Sequence, residues 1–203
     1  MKAGAAIGLL GGSFDPVHRA HIDLARTALR ALGLDAVWLM PAGAPWQRTP
    51  LAATAEHRRA MVALAIAAED GLALCDIELN RTGPTYTVDS LRELRDLHPH
   101  AKFTLILGTD QLANFTTWKD WAEIVDMADL AVAPRPGSAW QAPPAVVAAL
   151  HARASEIRTI PMAPCDVSAT HVRARLREGG AVDDLLPAGV ARYIEEHHLY
   201  SNH

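Results

Sequence analysis

Along the chain, short apolar blocks alternate with stretches whose apolar positions recur at helical spacing, and this alternation predicts a succession of strands and helices. Ala6 to Leu10 is apolar, short and bounded by Gly11 and Gly12, the pattern of a strand buried in a parallel sheet. The period then changes. Leu24, Ala28 and Leu32 fall four apart, with Ala25 and Leu29 beside them, so one helix face packs on the sheet. Pro16 suits the first position of that helix, where its missing N–H would be unpaired anyway. Ala36 to Met40 reads as a second strand. Thr54 caps a helix whose apolar stripe of Met61, Ala65 and Ala68 runs to Glu69, and Leu72 to Cys75 supplies a short strand. Gly83 and Pro84 break the chain before a helix with Leu91, Leu94 and Leu97 on one side. Lys102 to Leu107 and Leu130 to Ala133 read as strands, and Ala145 to Arg153 as a helix. Ser168 caps a helix carrying Val172 and Leu176. Asp184 to Pro187, DLLP, caps a final helix toward His197. Such a succession predicts a Rossmann-like α/β fold: an open, mostly parallel sheet with helices on both faces.

Length and composition narrow the class. The 203 residues lie within single-domain range, and residues 1–203 are read as one domain with the C-terminal helical part, from about residue 165, packed on it. Half the residues are hydrophobic, yet no apolar run approaches the ~18 residues of a membrane span. The amino terminus, MKAGAAIGLLGG, superficially resembles a signal peptide, but its apolar run is needed as the first strand, so the cytoplasm is the expected compartment. Nineteen basic against 23 acidic residues give a formal charge of −4, which provides no general nucleic-acid footprint. Cys75 and Cys165 form no C-x-x-C pair and make neither a disulfide framework nor a zinc site; both are expected to be buried thiols.

The candidate chemistry begins at GGSFDPVHRAH. Gly11 and Gly12 let the backbone approach a ligand, and Ser13 to Asp15 form a polar turn carrying Phe14. His18 and His21 lie three apart in the first helical turn and share a face, beside unpaired N–H groups and the positive dipole end. That order describes a polyphosphate cradle. After the second strand, the loop PAGAPWQRTP lies where open α/β sheets form their ligand crevice; its Trp46, Gln47 and Arg48 either face solvent or serve that crevice. Thr85 or Thr87 caps the helix after Gly83-Pro84, and that helix start also suits a carboxylate. Gly108 permits close approach, and Asp110 either binds a ribose hydroxyl or sits in a turn before a short helix. Trp118 and Trp121 read first as packing residues at a helix entry. Arg135, in PRPG, either braces its loop or faces substrate. Thr170 and Arg173 share a face of the helix capped by Ser168, and a guanidinium can grip phosphate oxygens bidentately.

GGSFDPVHRAH resembles the signature of nucleotidyltransferases with an H-x-G-H-type motif, relatives of class I aminoacyl-tRNA synthetases, with Ala20 where glycine is commonest. GPTYT, residues 83–87, is similar to the G-P-S-Y-T segment of the bacterial nicotinate-nucleotide adenylyltransferases, and VSATHVR to their I-S-x-T-x-x-R motif. The resemblance runs from Gly11 to Leu199. It implies transfer of the AMP part of ATP to nicotinate mononucleotide, giving nicotinate adenine dinucleotide and pyrophosphate in NAD biosynthesis. It also implies catalytic roles for His18, His21 and Arg173. ATP would be held by Gly11, Gly12, Ser13, Phe14, His18, His21, Gly108, Asp110, Ser168, Thr170 and Arg173. Nicotinate mononucleotide would be held by Arg48, Thr87, Trp118, Lys119 and Arg135, with the Trp118 indole stacked on the pyridine ring. Lys119 stands where an aromatic residue often follows that tryptophan. Mg²⁺ is expected to enter mainly through substrate phosphates and water, because no carboxylate cluster of the usual kind is visible for a protein-held metal. The expected partners are therefore the two small-molecule substrates, with no nucleic acid or membrane. Other acceptors, nicotinamide mononucleotide or phosphopantetheine, remain open, as does a non-catalytic nucleotide sensor. The first strand is followed by no G-x-G-x-x-G, and a G-K-[ST] segment is missing, which disfavours a dinucleotide oxidoreductase and a P-loop kinase.

Overall fold

A computed structural model describes residues 4–44, 51–134, 140–163 and 167–201. Among these residues, six strands form one sheet: β1 (Ala6–Gly12), β2 (Ala36–Pro41), β3 (Leu72–Leu74), β4 (Lys102–Gly108), β5 (Ala128–Ala133) and β6 (Arg158–Thr159). Their order is β3-β2-β1-β4-β5-β6 and every pairing is parallel. Central β1 sets Leu9 beside Trp38 of β2 on one side and Leu105 of β4 on the other. The chain winds outward from β1 to β3, then crosses back to start again at β4. The crevice between the carboxyl ends of β1 and β4 is therefore the topological switch point, where open α/β sheets bind ligands.

Among the described residues, eight helices cover the two faces: α1 (Arg19–Ala31), α2 (Ala55–Ile66), α3 (Thr87–Leu97), α4 (Thr109–Ala113), α5 (Trp121–Met127), α6 (Pro144–Ala152), α7 (Ala169–Arg177) and α8 (Ala188–Glu196). A 3₁₀ turn, Phe115–Thr117, joins α4 to α5. Because side chains alternate along a strand, β1 feeds two cores. Ile7 and Leu9 pack with Leu91, Phe103, Leu112 and Ile124 under α3 to α6. Leu10 faces the other layer, where α1, α2, α7 and α8 bring Ile22, Met61, Val172 and Ile194. The C-terminal α8 lies in this second layer, its Val190 and Ile194 joining the same cluster as Met61 and Val62 of α2. No helix among the described residues is long and apolar enough to cross a membrane.

Several expected boundaries shift, each for a local reason. β1 continues through both glycines, because Gly11 and Gly12 pair with Met40 and Pro41 of β2. Helix α1 starts at Arg19, with His18 as its N-cap; Pro16 precedes it across a cis peptide bond and is not the first helical residue. Helix α2 ends at Ile66, which leaves Ala68 exposed beyond its stripe. Leu97 is 62 % exposed, since Val88, Leu91 and Leu94 complete the buried face of α3 one turn earlier. Strand β5 starts two residues before Leu130, and the two-residue β6 carries no apolar block. Asp184 does not cap α8, whose N-cap is Pro187; its carboxylate pairs instead with Arg175 at 2.9 Å. Cys75 is a buried free thiol, its pKa pushed up to about 11 by burial; Cys165 lies outside the described residues.

Candidate active site

A cleft of 410 Å³ opens at the switch point, floored by Gly11, Gly12 and Ser13 from β1 and by Leu107, Gly108 and Asp110 from β4. The glycine turn is shaped from below. Phe14 takes a left-handed backbone conformation (φ 47°), which folds its ring under Gly12, where a Cβ would lie 3.1 Å from Phe14 Cζ. The buried ring meets His21 edge-on at 4.9 Å. Phe14 thus supports His21 from the core rather than offering its own side chain to the cleft.

The two histidines form a stack. Their ring centroids are 3.7 Å apart at 27°, with His21 lining the cleft and His18 buried, only 5 % exposed. The backbone N–H of His18 donates to His21 Nδ1 at 3.2 Å, so neutral His21 carries its ring proton on Nε2. Burial lowers the His18 pKa from its ordinary 6.5 to about 4, which keeps that ring neutral near pH 7. Its Nδ1 is sealed and makes no hydrogen bond to a described residue.

Positive charge comes from the far end of the chain. Ser168 caps α7 by accepting from the His171 N–H at 3.2 Å. One turn on, Arg173 Nη1 donates to the Asp15 carbonyl at 2.6 Å, and its Nη2 lies 3.5 Å from Thr170 Oγ1. The guanidinium is therefore seated on the glycine–histidine turn itself, three residues before His18. Ser168, Thr170 and Arg173 form a group beside the cleft, whose lining among the described residues does not include them.

Two residues that sequence patterns passed over hold this turn in place. Buried Asp15 accepts from the N–H groups of Ala52 and Ala53 at 2.7 and 3.1 Å and from the Tyr200 hydroxyl at 2.7 Å. Arg58, 1 % exposed, donates to the carbonyls of Ser13 at 2.9 Å and Gly43 at 3.3 Å; burial lowers its pKa, against the opposing charge of Asp15. A charged residue on the apolar side of α2 was the available signal for Arg58. Asp15 stood within the quoted motif, but nothing local reveals that its partners sit at residues 52, 53 and 200.

At the opposite wall, α3 presents an N-terminus with no side-chain cap. The N-cap is Tyr86, so neither Thr85 nor Thr87 serves. Thr85 is buried with its methyl toward Gly43, and Thr87 lines the cleft as the first helical residue. Trp118, following the 3₁₀ turn, packs on Phe115 at 5.2 Å and also lines the cleft. Its neighbour Lys119 is tethered: Nζ lies 2.9 Å from Asp89 Oδ2 and 4.7 Å above the Tyr86 ring. Asp110 curls back over Gly108, where a Cβ would meet Asp110 Oδ1 at 2.8 Å. Glu78, between β3 and α3, lines the same wall. Arg48 and Arg135 lie outside the described residues. Trp121 is the first residue of α5 and packs against the α3–α6 core.

Residues 9–175 match the Cytidylyltransferase-like family model. A Bordetella avium protein named probable nicotinate-nucleotide adenylyltransferase is 54 % identical over 194 residues, covering 96 % of this chain and 97 % of its own. Its namesake from Bordetella pertussis is 53 % identical over 195 residues, with the same shares covered. Among solved structures, Plasmodium falciparum nicotinic acid mononucleotide adenylyltransferase, complexed with NaAD, superposes with a TM-score of 0.77 over 97 % of each chain, at 20 % identity. That last likeness concerns the fold. The family match and the near-complete, majority-identical alignments settle the remaining question of kinship: the chain belongs to the cytidylyltransferase-like family, on its nicotinate-nucleotide adenylyltransferase branch.

Proposed function

We propose that this protein joins nicotinate mononucleotide to the AMP part of ATP, releasing pyrophosphate and forming nicotinate adenine dinucleotide. The observation that carries the reading is that one crevice is lined by Gly11, Gly12, Ser13 and His21 at its floor and by Thr87 and Trp118 on its wall, a donor set that suits phosphates and an aromatic carboxylate. In the reaction an oxygen of the mononucleotide phosphate bonds to the α-phosphorus of ATP as the bond from that phosphorus to the β-bridging oxygen breaks. The leaving pyrophosphate takes up the electron pair. No protein nucleophile is needed, so the protein contributes alignment and charge stabilisation.

We assign the residue roles as follows. Gly11, Gly12 and Ser13 let the phosphates approach the backbone at the end of β1. His18 and His21 serve as hydrogen-bond donors to phosphate, His21 through Nε2. Arg173, with Ser168 and Thr170 setting its helix, supplies the formal positive charge. Asp110 and Gly108 take the adenosine side. Thr87 and the open start of α3 take the nicotinate carboxylate, Trp118 stacks on the pyridine ring, and Lys119 adds charge on that wall. Arg48 and Arg135 are assigned to the same mononucleotide from the resemblance alone.

Among the described residues, no group of three or more His, Cys, Asp or Glu side chains could hold a metal. The donor set therefore fits Mg²⁺ carried by the nucleotide's phosphates and water rather than by a protein cage. So bound, the ion neutralises phosphate charge. We read the chain as a single catalytic domain working in the cytoplasm.

Pyrophosphate release measured with ATP and a panel of nicotinate mononucleotide, nicotinamide mononucleotide and phosphopantetheine tests the reading. Fastest turnover with the nicotinate acceptor is expected. Preference for another acceptor would redirect the assignment, and ATP binding without release in any arm would leave a sensor.

A further inference from the structure

We infer that Glu78 is the residue that reads the ribose of the acceptor mononucleotide, an assignment resting on the transfer reaction proposed above. Glu78 is 6 % exposed and lines the cleft. Its Oε1 accepts from Ser90 Oγ at 2.8 Å, and Arg81 Nη1 in turn donates to that Oγ at 2.8 Å, so the carboxylate is fixed from behind. No hydrogen bond from a described residue reaches its Oε2. A carboxylate held through one oxygen at the cleft wall is a ready acceptor.

The main chain around it is equally set. The carbonyl of Glu78 sits where a Cβ on Gly43 would approach to 2.2 Å, and the Thr85 N–H donates to the Ala44 carbonyl at 3.1 Å. The loop after β2 thereby clamps the segment between β3 and α3.

A fixed negative charge is costly in a crevice built for two phosphate-bearing substrates, unless it meets donors. Nicotinate mononucleotide at neutral pH has no strong donors except its ribose hydroxyls. Glu78 belongs to the β2–β3 half of the crevice and to the segment that supplies Thr87, whereas Asp110 stands on the β4 half. Two ribose-bearing substrates thus face two carboxylates, one on each side of the switch point. A hydroxyl–carboxylate bond is charge-assisted and short.

The test compares kcat/KM for nicotinate mononucleotide with its 2′-deoxy and 3′-deoxy forms, in wild type and in Glu78→Ala. Wild type should lose about 10- to 100-fold on one deoxy acceptor, mostly in KM. In Glu78→Ala the ribo and deoxy acceptors should become nearly equal, and Glu78→Gln, which keeps an acceptor oxygen, should retain part of the discrimination. Glu78→Gln also carries the comparison if the alanine variant unfolds. A ribo-to-deoxy ratio unchanged by substitution overturns the assignment, because a purely structural role lowers both rates alike. A ratio that collapses instead for 2′- or 3′-deoxy-ATP also overturns it. Wild type inactive with the ribo acceptor would overturn the proposed reaction itself.

Discussion

His18 is the residue where burial and chemistry meet. A stacked imidazole under His21, with its Nδ1 unpaired and its pKa lowered to about 4, stays neutral in the fold near pH 7 and becomes costly in acid. Protons bind the unfolded chain first, because the folded pKa lies below the ordinary 6.5. The contribution of His18 to stability is therefore whole above pH 6.5 and is lost as pH falls toward 4. The expected loss is on the order of 3 kcal/mol. His18→Asn keeps a good N-cap while removing this titration, so denaturant unfolding at pH 7, 6, 5 and 4 should show a shallower acid decline than wild type. The same variant should lose about 10²- to 10³-fold in turnover, read by pyrophosphate release, since a preorganised donor is gone. The histidine pair was legible in the sequence because three-residue spacing at a helix start enforces a shared face. The inequality between the rings was not. Which imidazole is sealed depends on Phe14 folding beneath Gly12, a left-handed turn no local pattern announces.

At the scale of elements, the alternation of apolar blocks was sufficient to read the parallel sheet and most of the helices. Errors gathered where period and burial part company. Leu97 continues the spacing of α3 but lies past the last turn that touches the sheet, and β6, held by pairing with Ala131 and Val132, has no periodicity to read. Caps were legible where a hydroxyl stands before the helix, as at Thr54 and Ser168. The start of α3, like most helix starts here, has no side-chain cap, and what sets it apart is that Thr87 lines the cleft. Ser168→Ala should cost about 1 kcal/mol and loosen the first turn of α7, on which the turn carrying Arg173 rests. A higher KM for ATP with a small change in KM for the acceptor is the expected kinetic mark. Gly43→Ala acts on another element junction. Its Cβ would fall 2.2 Å from the Glu78 carbonyl oxygen, a backbone atom that cannot rotate away, so the clamp between the two loops must open. A destabilisation of about 1–3 kcal/mol should appear in urea unfolding, together with a raised KM for nicotinate mononucleotide.

Across the whole molecule, the glycine–histidine turn is held by residues far apart in the sequence. Asp15 accepts from the chain at 52 and 53 and from Tyr200, while its carbonyl holds Arg173 and the neighbouring Ser13 carbonyl holds Arg58. Separations of 158 and 185 residues leave no trace in composition or period, which is why the motif was readable and its anchorage was not. Tyr200 supplies the most direct test of that anchorage. Burial, and then its bond to Asp15, push its phenol well above the usual range, so the hydroxyl stays a donor at any pH the fold survives. Tyr200→Phe keeps the ring packed against the α1–α2 core and removes one bond to a buried carboxylate, worth about 1.5–3 kcal/mol. Asp15 would keep the Ala52 and Ala53 N–H groups, so the fold should persist with a lower unfolding midpoint. Looser seating of Asp15 reaches Arg173 through the shared backbone, and kcat/KM for ATP should fall several-fold while the ribo-to-deoxy preference at Glu78 is unchanged. An unfolding midpoint equal to wild type would mean that water replaces the phenol at no cost and that the carboxyl end of the chain does not brace the turn.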